Sequence, residues 1–339
     1  MNYKKYYILA PYNFATGGVE LSHQLVDYLR SKGKDAFVVF VANNEFVTQK
    51  DVHPAYSSYD IVVAEEIEDH SDNILIVPEV FIEFIRGFRN IHIGIWWMSV
   101  DKRYEYSCLL DQLCWNKNLI KRLKLIVNYI LGRSYRYINS DKYLLSLGDR
   151  VVHFYQSRYA QYHLYSKGFS NILPLSDYIN TQYLGSGIAD KTDRKNVVLY
   201  NPLKGFSITR KLIEYMPQVD FIPLVGYSRE QLWNLFKMSK VYIDFGEFPG
   251  KDRLFREASM GGCCIITGKS GASAFYEDVP IKACYKFARP LSQLREISEV
   301  IENILNNYDE HNANFDFLRM RILSEKEMFF NEVERSLIN

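Results

Sequence analysis

The densest run of chemistry-bearing side chains is Phe245-Gly246-Glu247-Phe248-Pro249-Gly250-Lys251-Asp252-Arg253-Leu254-Phe255-Arg256-Glu257-Ala258. Gly246 and Gly250 free the backbone of a loop, and Pro249 stiffens it. Lys251 and Arg253 then set two cations at the start of a helical pattern. A helix N-terminus already carries positive potential, so cations there are unfavourable unless they face an anion such as a phosphate. Glu257 follows Arg253 by four residues, one helical turn, so both side chains share a face. A carboxylate there accepts two hydrogen bonds, which suits a vicinal diol such as a ribose. The competing reading is an ordinary Arg–Glu helix pair.

Three further motifs can meet the same kind of ligand. Gly17-Gly18-Val19-Glu20 lies between an apolar strand pattern and a helix, where backbone N–H groups can approach an anion. It is not G-x-G-x-x-G, and a plain turn pair of glycines is the alternative. Tyr200-Asn201-Pro202-Leu203-Lys204-Gly205 ends a strand pattern. Ligands of open α/β sheets bind at the carboxyl ends of strands, and Lys204 there is a point charge for a phosphate with Asn201 beside it. In Gly261-Gly262-Cys263-Cys264-Ile265-Ile266-Thr267-Gly268-Lys269-Ser270-Gly271-Ala272-Ser273, the N–H groups of Gly271, Ala272 and Ser273 can meet a second part of that anion. A P-loop would need Gly at position 263, which is Cys.

A carboxylate or imidazole working as a general base on an acceptor has four candidates: Asp101, in Trp96-Trp97-Met98-Ser99-Val100-Asp101, then Glu20, His23 and Glu79. Trp96 and Trp97 either stack on a sugar or fill the core. The sequence has no D-x-D and no H-x-x-x-H, so no metal-ligand set is visible and no metal is expected.

These residues need strands and helices to position them. Continuous apolar β-rich runs at 6–10, 36–41, 60–64, 74–78, 91–97 and 151–155 predict strands of a parallel sheet covered on both faces. Helices are predicted over 19–32, 80–88 and 157–167, the first and last closed by Gly33 and Gly168. The pattern restarts, with strands at 196–201, 220–225, 240–245 and 263–267 and helices at 208–215, 230–238, 252–260 and 291–307. Such alternation implies two doubly wound Rossmann-like α/β domains facing across a cleft. The polar stretch 174–195, with Gly185-Ser186-Gly187 and Asp190-Lys191-Thr192-Asp193, marks the boundary. The expected domains are 1–175, 176–320, and a C-terminal helix 321–339 packing back across them.

The second half resembles the nucleotide-sugar domain of GT-B glycosyltransferases, close to glycosyltransferase family 4 and its bacterial surface-polysaccharide relatives. That family has Glu-Ala followed by a Gly and a strand, and Glu257-Ala258-Ser259-Met260-Gly261-Gly262-Cys263-Cys264-Ile265 matches. The resemblance implies that Glu257 holds the donor ribose, Lys204-Gly205 the donor diphosphate, and that Gly17 to Glu20 line the catalytic cleft. It covers most of the chain, most closely 197–280. Two positions depart from the pattern: Pro249 stands eight residues before Glu257, where a first Glu is usual, and Tyr200-Asn201 stand where an Arg usually precedes Lys204. Lys251 or Arg253 is expected to supply that cation. The implied activity is hexosyl transfer from a nucleotide-diphosphate sugar to a saccharide or lipid-linked saccharide, retaining and metal-independent, with no cofactor beyond the donor substrate. A nucleotide-sugar epimerase and a non-catalytic donor-binding subunit are the rival readings.

Composition sets the outer limits. With 339 residues, 47% apolar and 24% charged, the chain has the size of about two globular domains and is not a disordered or collagen-like chain. A net charge of +1 argues against a dedicated nucleic-acid binder. Five Cys with no C-x-x-C, and a first apolar stretch too short for a signal sequence, point to reduced thiols in a cytoplasm. The run 112–140 has six cations (Lys117, Lys121, Arg122, Lys124, Arg133, Arg136) and no acid. With Leu119, Leu123, Ile126, Val127 and Ile130 at helical spacing, it reads either as a basic amphipathic helix lying on anionic lipid at the inner face of the membrane, or as a surface helix with a solvated basic side.

Overall fold

The computed structural model describes residues 3–42, 45–47, 51–133, 139–180 and 194–339. Gly185-Ser186-Gly187, Asp190 to Asp193 and Arg136 lie outside the described residues. The chain divides into two compact units, one of Met1–Asp177 with Met328–Asn339, the other of Tyr178–Glu327.

The first unit contains β1 (Lys5–Pro11), α1 (Gly17–Ser31), β2 (Asp35–Ala42), β3 (Glu45–Phe46), β4 (Ile74–Pro78), β5 (His92–Trp97), α2 (Val100–Arg103), α3 (Leu109–Trp115), α4 (Leu119–Ile130), α5 (Asp141–Ser146), β6 (Val151–Tyr155), α6 (Arg158–Ser166) and β7 (Ile172–Pro174). Its sheet runs β3-β2-β1-β4-β5-β6-β7, parallel except for the short β2–β3 pair. Strands such as Ile74–Pro78 are buried along their whole length, the burial that continuous apolar runs encode. Gly33 and Gly168 take positive φ just past α1 and α6, as helix-closing residues do. The strand order reverses between β1 and β4, and the loops leaving those two strands diverge there.

Two sequence expectations fail in this unit. Residues 60–64 form no strand; they make only a bridge at Val63, with Val62 and Ala64 bonded to Val38. Their outer face stays partly exposed, so the apolar run is covered on one side only. Residues 80–88 lie in a 3-10 segment, Glu79–Gly87, that kinks at Phe81. Val, Phe and Ile hold an α-helix weakly, and nine residues leave little room for propagation. Trp96 and Trp97 are fully buried, donating their indole N–H groups to Leu175 O at 2.8 Å and His153 Nδ1 at 3.1 Å, so they fill the core.

The second unit has β8 (Lys195–Tyr200), α7 (Phe206–Tyr215), β9 (Asp220–Pro223), α8 (Arg229–Met238), β10 (Ser239–Asp244), α9 (Leu254–Met260), β11 (Cys264–Gly268), β12 (Lys286–Phe287), α10 (Leu294–Asn306), α11 (Tyr308–Ala313) and α12 (Asp316–Val333), whose last residues belong to the first unit. The sheet is wholly parallel in the order β12-β11-β10-β8-β9. The first strand, β8, is flanked by the second and the third, so the order reverses between β8 and β10. No helix among the described residues is long and apolar enough to cross a membrane.

Candidate functional site

The loops after β8 and β10 meet at the reversal point of the second unit. Asn201 Oδ1 accepts the Leu203 N–H at 3.0 Å, turning the chain so that Lys204 follows the strand end closely. Gly205 then adopts φ +62, and a Cβ built there would lie 2.5 Å from the Phe245 carbonyl carbon and 2.7 Å from Gly246 N. A Cβ on Gly246 would lie 2.3 Å from Lys204 Cβ. The two loops therefore touch backbone to backbone, and only glycines permit it.

This contact seats Lys204 over Phe248, 5.6 Å from the ring centre, and in an ion pair with Asp252. Burial works against the charge of Lys204, but Asp252, then Asp244 and Glu247, outweigh it and hold the ammonium pKa above its ordinary value. Beneath lies Asp244, buried, accepting the Gly246 N–H at 2.8 Å and the Tyr242 hydroxyl at 3.2 Å. Burial first, and Asp252 second, push its carboxyl up to about 6. Asp252 Oδ1 also accepts the Leu254 N–H at 3.0 Å, two residues on at the start of α9.

Arg253 Nε donates to Glu257 Oε1 at 2.8 Å, with side chains 23% and 16% exposed. This is the helix-pair geometry, at the mouth of the same loop. Two sequence assignments change. Lys251 pairs with Glu325 of α12 at 2.9 Å, and the same carboxylate accepts from buried Arg256 at 2.8 Å, so Lys251 braces the loop. In the turn after β11, the Ala272 N–H bonds Phe248 O at 2.8 Å and the Ser273 N–H bonds Ser270 O at 3.2 Å. Both residues are buried, so those N–H groups knit the turn to the β10 loop. Gly271 permits that turn with φ +55, and Gly250 is buried in the β10 loop. The structure thus brings Asn201, Lys204, Gly250, Arg253 and Glu257 together and turns Lys251, Ala272 and Ser273 inward.

The reversal point of the first unit gathers the other candidates. Gly17 and Gly18 open α1, with Met98 Sδ 3.6 Å from where a Gly18 Cβ would stand. Glu79, just past β4, accepts the Met98 N–H at 3.0 Å and is pushed up to about 7 by burial. Glu20 is buried and accepts the Tyr59 hydroxyl at 3.0 Å. His23 is fully buried, bonded through Nδ1 to Val19 O at 2.7 Å, and burial lowers its pKa. Asp101 alone of the four is partly exposed, on α2, accepting the Tyr159 hydroxyl at 3.1 Å. Among the described residues no group of three or more His, Cys, Asp and Glu is arranged to hold a metal ion.

Sequence reasoning missed Asp244, Asp252, Arg256 and Glu325. Asp244 ends a strand and Asp252 sits two residues before a helix, signals that were legible. Nothing near Glu325 marks it.

No protein-family model and no curated protein matches the chain. Solved structures do. HepE of Anabaena, in complex with UDP-glucose, superposes with a TM-score of 0.57 at 11% identity over 98% of this chain and 100% of that one. An α-glucosyltransferase in complex with UDP and a 13-mer DNA superposes at 0.55 and 10%, covering 99% of each. TarM, known from S. aureus, reaches 0.53 at 12%, over 80% of this chain and 55% of its own, so the chain spans a little over half the length of TarM. The fold is that of GT-B glycosyltransferases, with two Rossmann-like domains.

Proposed function

We propose that the protein is a glycosyltransferase of the family 4 kind. On this reading it moves a hexosyl group from a nucleotide-diphosphate sugar to a saccharide or lipid-linked saccharide, with retention and without a metal, in surface-polysaccharide or glycolipid synthesis at the inner face of a membrane. The observation that carries the reading is the gathering of Lys204, Arg253 and Glu257 by the loops that follow β8 and β10 at the reversal point, the place at which open α/β sheets take their ligands.

The chemistry follows from those groups. Breaking the sugar–phosphate bond passes through an oxocarbenium-like state, and negative charge grows on the leaving diphosphate. Lys204 and Arg253 stabilise that charge as it forms, which lowers the barrier more than uniform binding would. Glu257 accepts from the ribose hydroxyls while holding Arg253 in place. With retention, an oxygen of the leaving phosphate takes the proton of the acceptor hydroxyl; Asp101 would be the base only if the reaction inverted.

Thermal shift with UDP, GDP, dTDP and CMP reads the base preference, since a ligand that binds only the folded state raises the melting temperature. Arg253→Ala and Glu257→Ala should each weaken nucleotide binding about tenfold or more, the cost of a lost charged hydrogen bond. Unchanged affinity removes those assignments. Absence of nucleotide release from every sugar nucleotide tested, with binding intact, replaces the transferase with a binding subunit.

A further inference from the structure

The helix α4 (Leu119–Ile130) is turned inside out for a water-facing surface. At about 100° per residue, Leu119, Ile120, Leu123, Ile126, Val127, Ile130 and Leu131 occupy one continuous stripe of about 140°. All seven are exposed, between 36% and 78%. The residues of the helix that are partly covered are Leu125, Asn128 and Tyr129, on the opposite side. An amphipathic helix of a soluble domain lays its apolar stripe on the core; this one rests on the narrow face of Leu125, Asn128 and Tyr129 and presents the wide stripe outward. No residue of α4 is buried, nor any of α3 before it. Contiguous exposed apolar patches of more than roughly a few hundred Å² are uncommon on monomers and mark interaction surfaces.

Charge identifies what covers the stripe. Lys117 and Lys124 lie along one border and Arg122 along the other, Lys121 lies on the far side, Arg133 follows the helix, and the whole run from 117 to 133 has no acidic residue. We infer that α4 is a membrane-surface helix: its stripe enters the headgroup–acyl boundary of a bilayer while the flanking cations meet anionic lipid phosphates. A duplex nucleic acid would use the cations but leave the seven apolar side chains in water, and a second copy of this helix would bring cations against cations. The inference stands on the helix alone and does not depend on the transferase reading.

The test is sedimentation of the full chain with vesicles of phosphatidylcholine, or of phosphatidylcholine and phosphatidylglycerol at about three to one, at low and high salt. The protein should co-sediment with the anionic vesicles and much less with the neutral ones, and salt should weaken the binding. L123E/I130E changes only exposed positions, so it should fold and bind nucleotide as before while losing about tenfold or more in partitioning. K117A/K124A should lose about fivefold for each lysine at low salt. Protein left in the supernatant with anionic vesicles, or unaltered binding by L123E/I130E, overturns the inference. A dimer in solution that L123E/I130E dissociates would overturn it in favour of a second copy. Binding of duplex DNA that K117A/K124A abolishes and L123E/I130E leaves intact would overturn it in favour of nucleic acid.

Discussion

Gly205→Ala measures how tightly the two loops at the reversal point of the second unit are locked. Two costs add at that position. Gly205 sits at φ +62, where an L-residue loses about 1–2 kcal/mol. The new methyl would also stand 2.5 Å from the Phe245 carbonyl carbon and 2.7 Å from both the Phe245 oxygen and Gly246 N. These are backbone atoms that cannot swing aside, and overpacking of this kind costs about 1–3 kcal/mol. The expected loss is about 2–5 kcal/mol. Gly226→Ala is the internal control: it lies in the same unit at φ +77 with nothing within 4 Å of its Cβ, so it loses the backbone term alone, about 1–2 kcal/mol. Urea unfolding monitored on both variants reads the difference within one unit. Because relief of the clash displaces Lys204, Gly205→Ala should also abolish the thermal shift given by the preferred nucleotide, and Gly226→Ala should keep it. Equal destabilisation by the two alanines would refute the backbone-to-backbone contact, and with it the argument that glycine is required there.

Glu79→Gln addresses pH. Burial raises the Glu79 carboxyl from 4.5 to about 7, so in that window the folded protein holds a proton that the unfolded chain has released, and stability falls as pH rises. The decline attributable to Glu79 is about 3 kcal/mol by neutral pH, and the glutamine variant, which cannot ionise, should lose it. Urea unfolding from pH 5 to 8 checks this; identical slopes for variant and parent would remove Glu79 as its source. Asp244, raised from 3.8 to about 6, acts with the same sign, whereas His153 and His163, lowered by burial to about 4, act with the opposite sign, so the readout is the difference in slope between variant and parent. Glu325→Ala strands Lys251 and fully buried Arg256 without their carboxylate, and should cost about 3–5 kcal/mol. A loss under about 1 kcal/mol in urea unfolding would show that the loop is braced by something else.

Composition and periodicity determined the architecture. Continuous apolar runs such as 74–78 and 151–155 can satisfy their burial only inside a parallel sheet covered on both faces, and the observed strands lie there. The glycines at 33, 168, 205 and 246 sit where turns and close approaches require them. The positions of Lys204, Arg253 and Glu257 near the strand ends were legible from local spacing. Residues 60–64 were misread because an apolar run states that it will be buried, not by how many neighbours. Tertiary structure alone decided the long-range charge pairs. Lys251 and Arg253 are two residues apart and alike in sequence, yet Glu325, more than seventy residues downstream, draws Lys251 inward while Glu257, one turn away, keeps Arg253 at the loop mouth. The same holds for α4, whose amphipathic pattern was plain but whose stripe could have packed on the core; its outward turn depends on which side its neighbours cover. Periodicity fixes what a segment must bury or expose, whereas ion pairs and the facing of a helix arise from contacts between segments far apart in the chain, which no local pattern encodes.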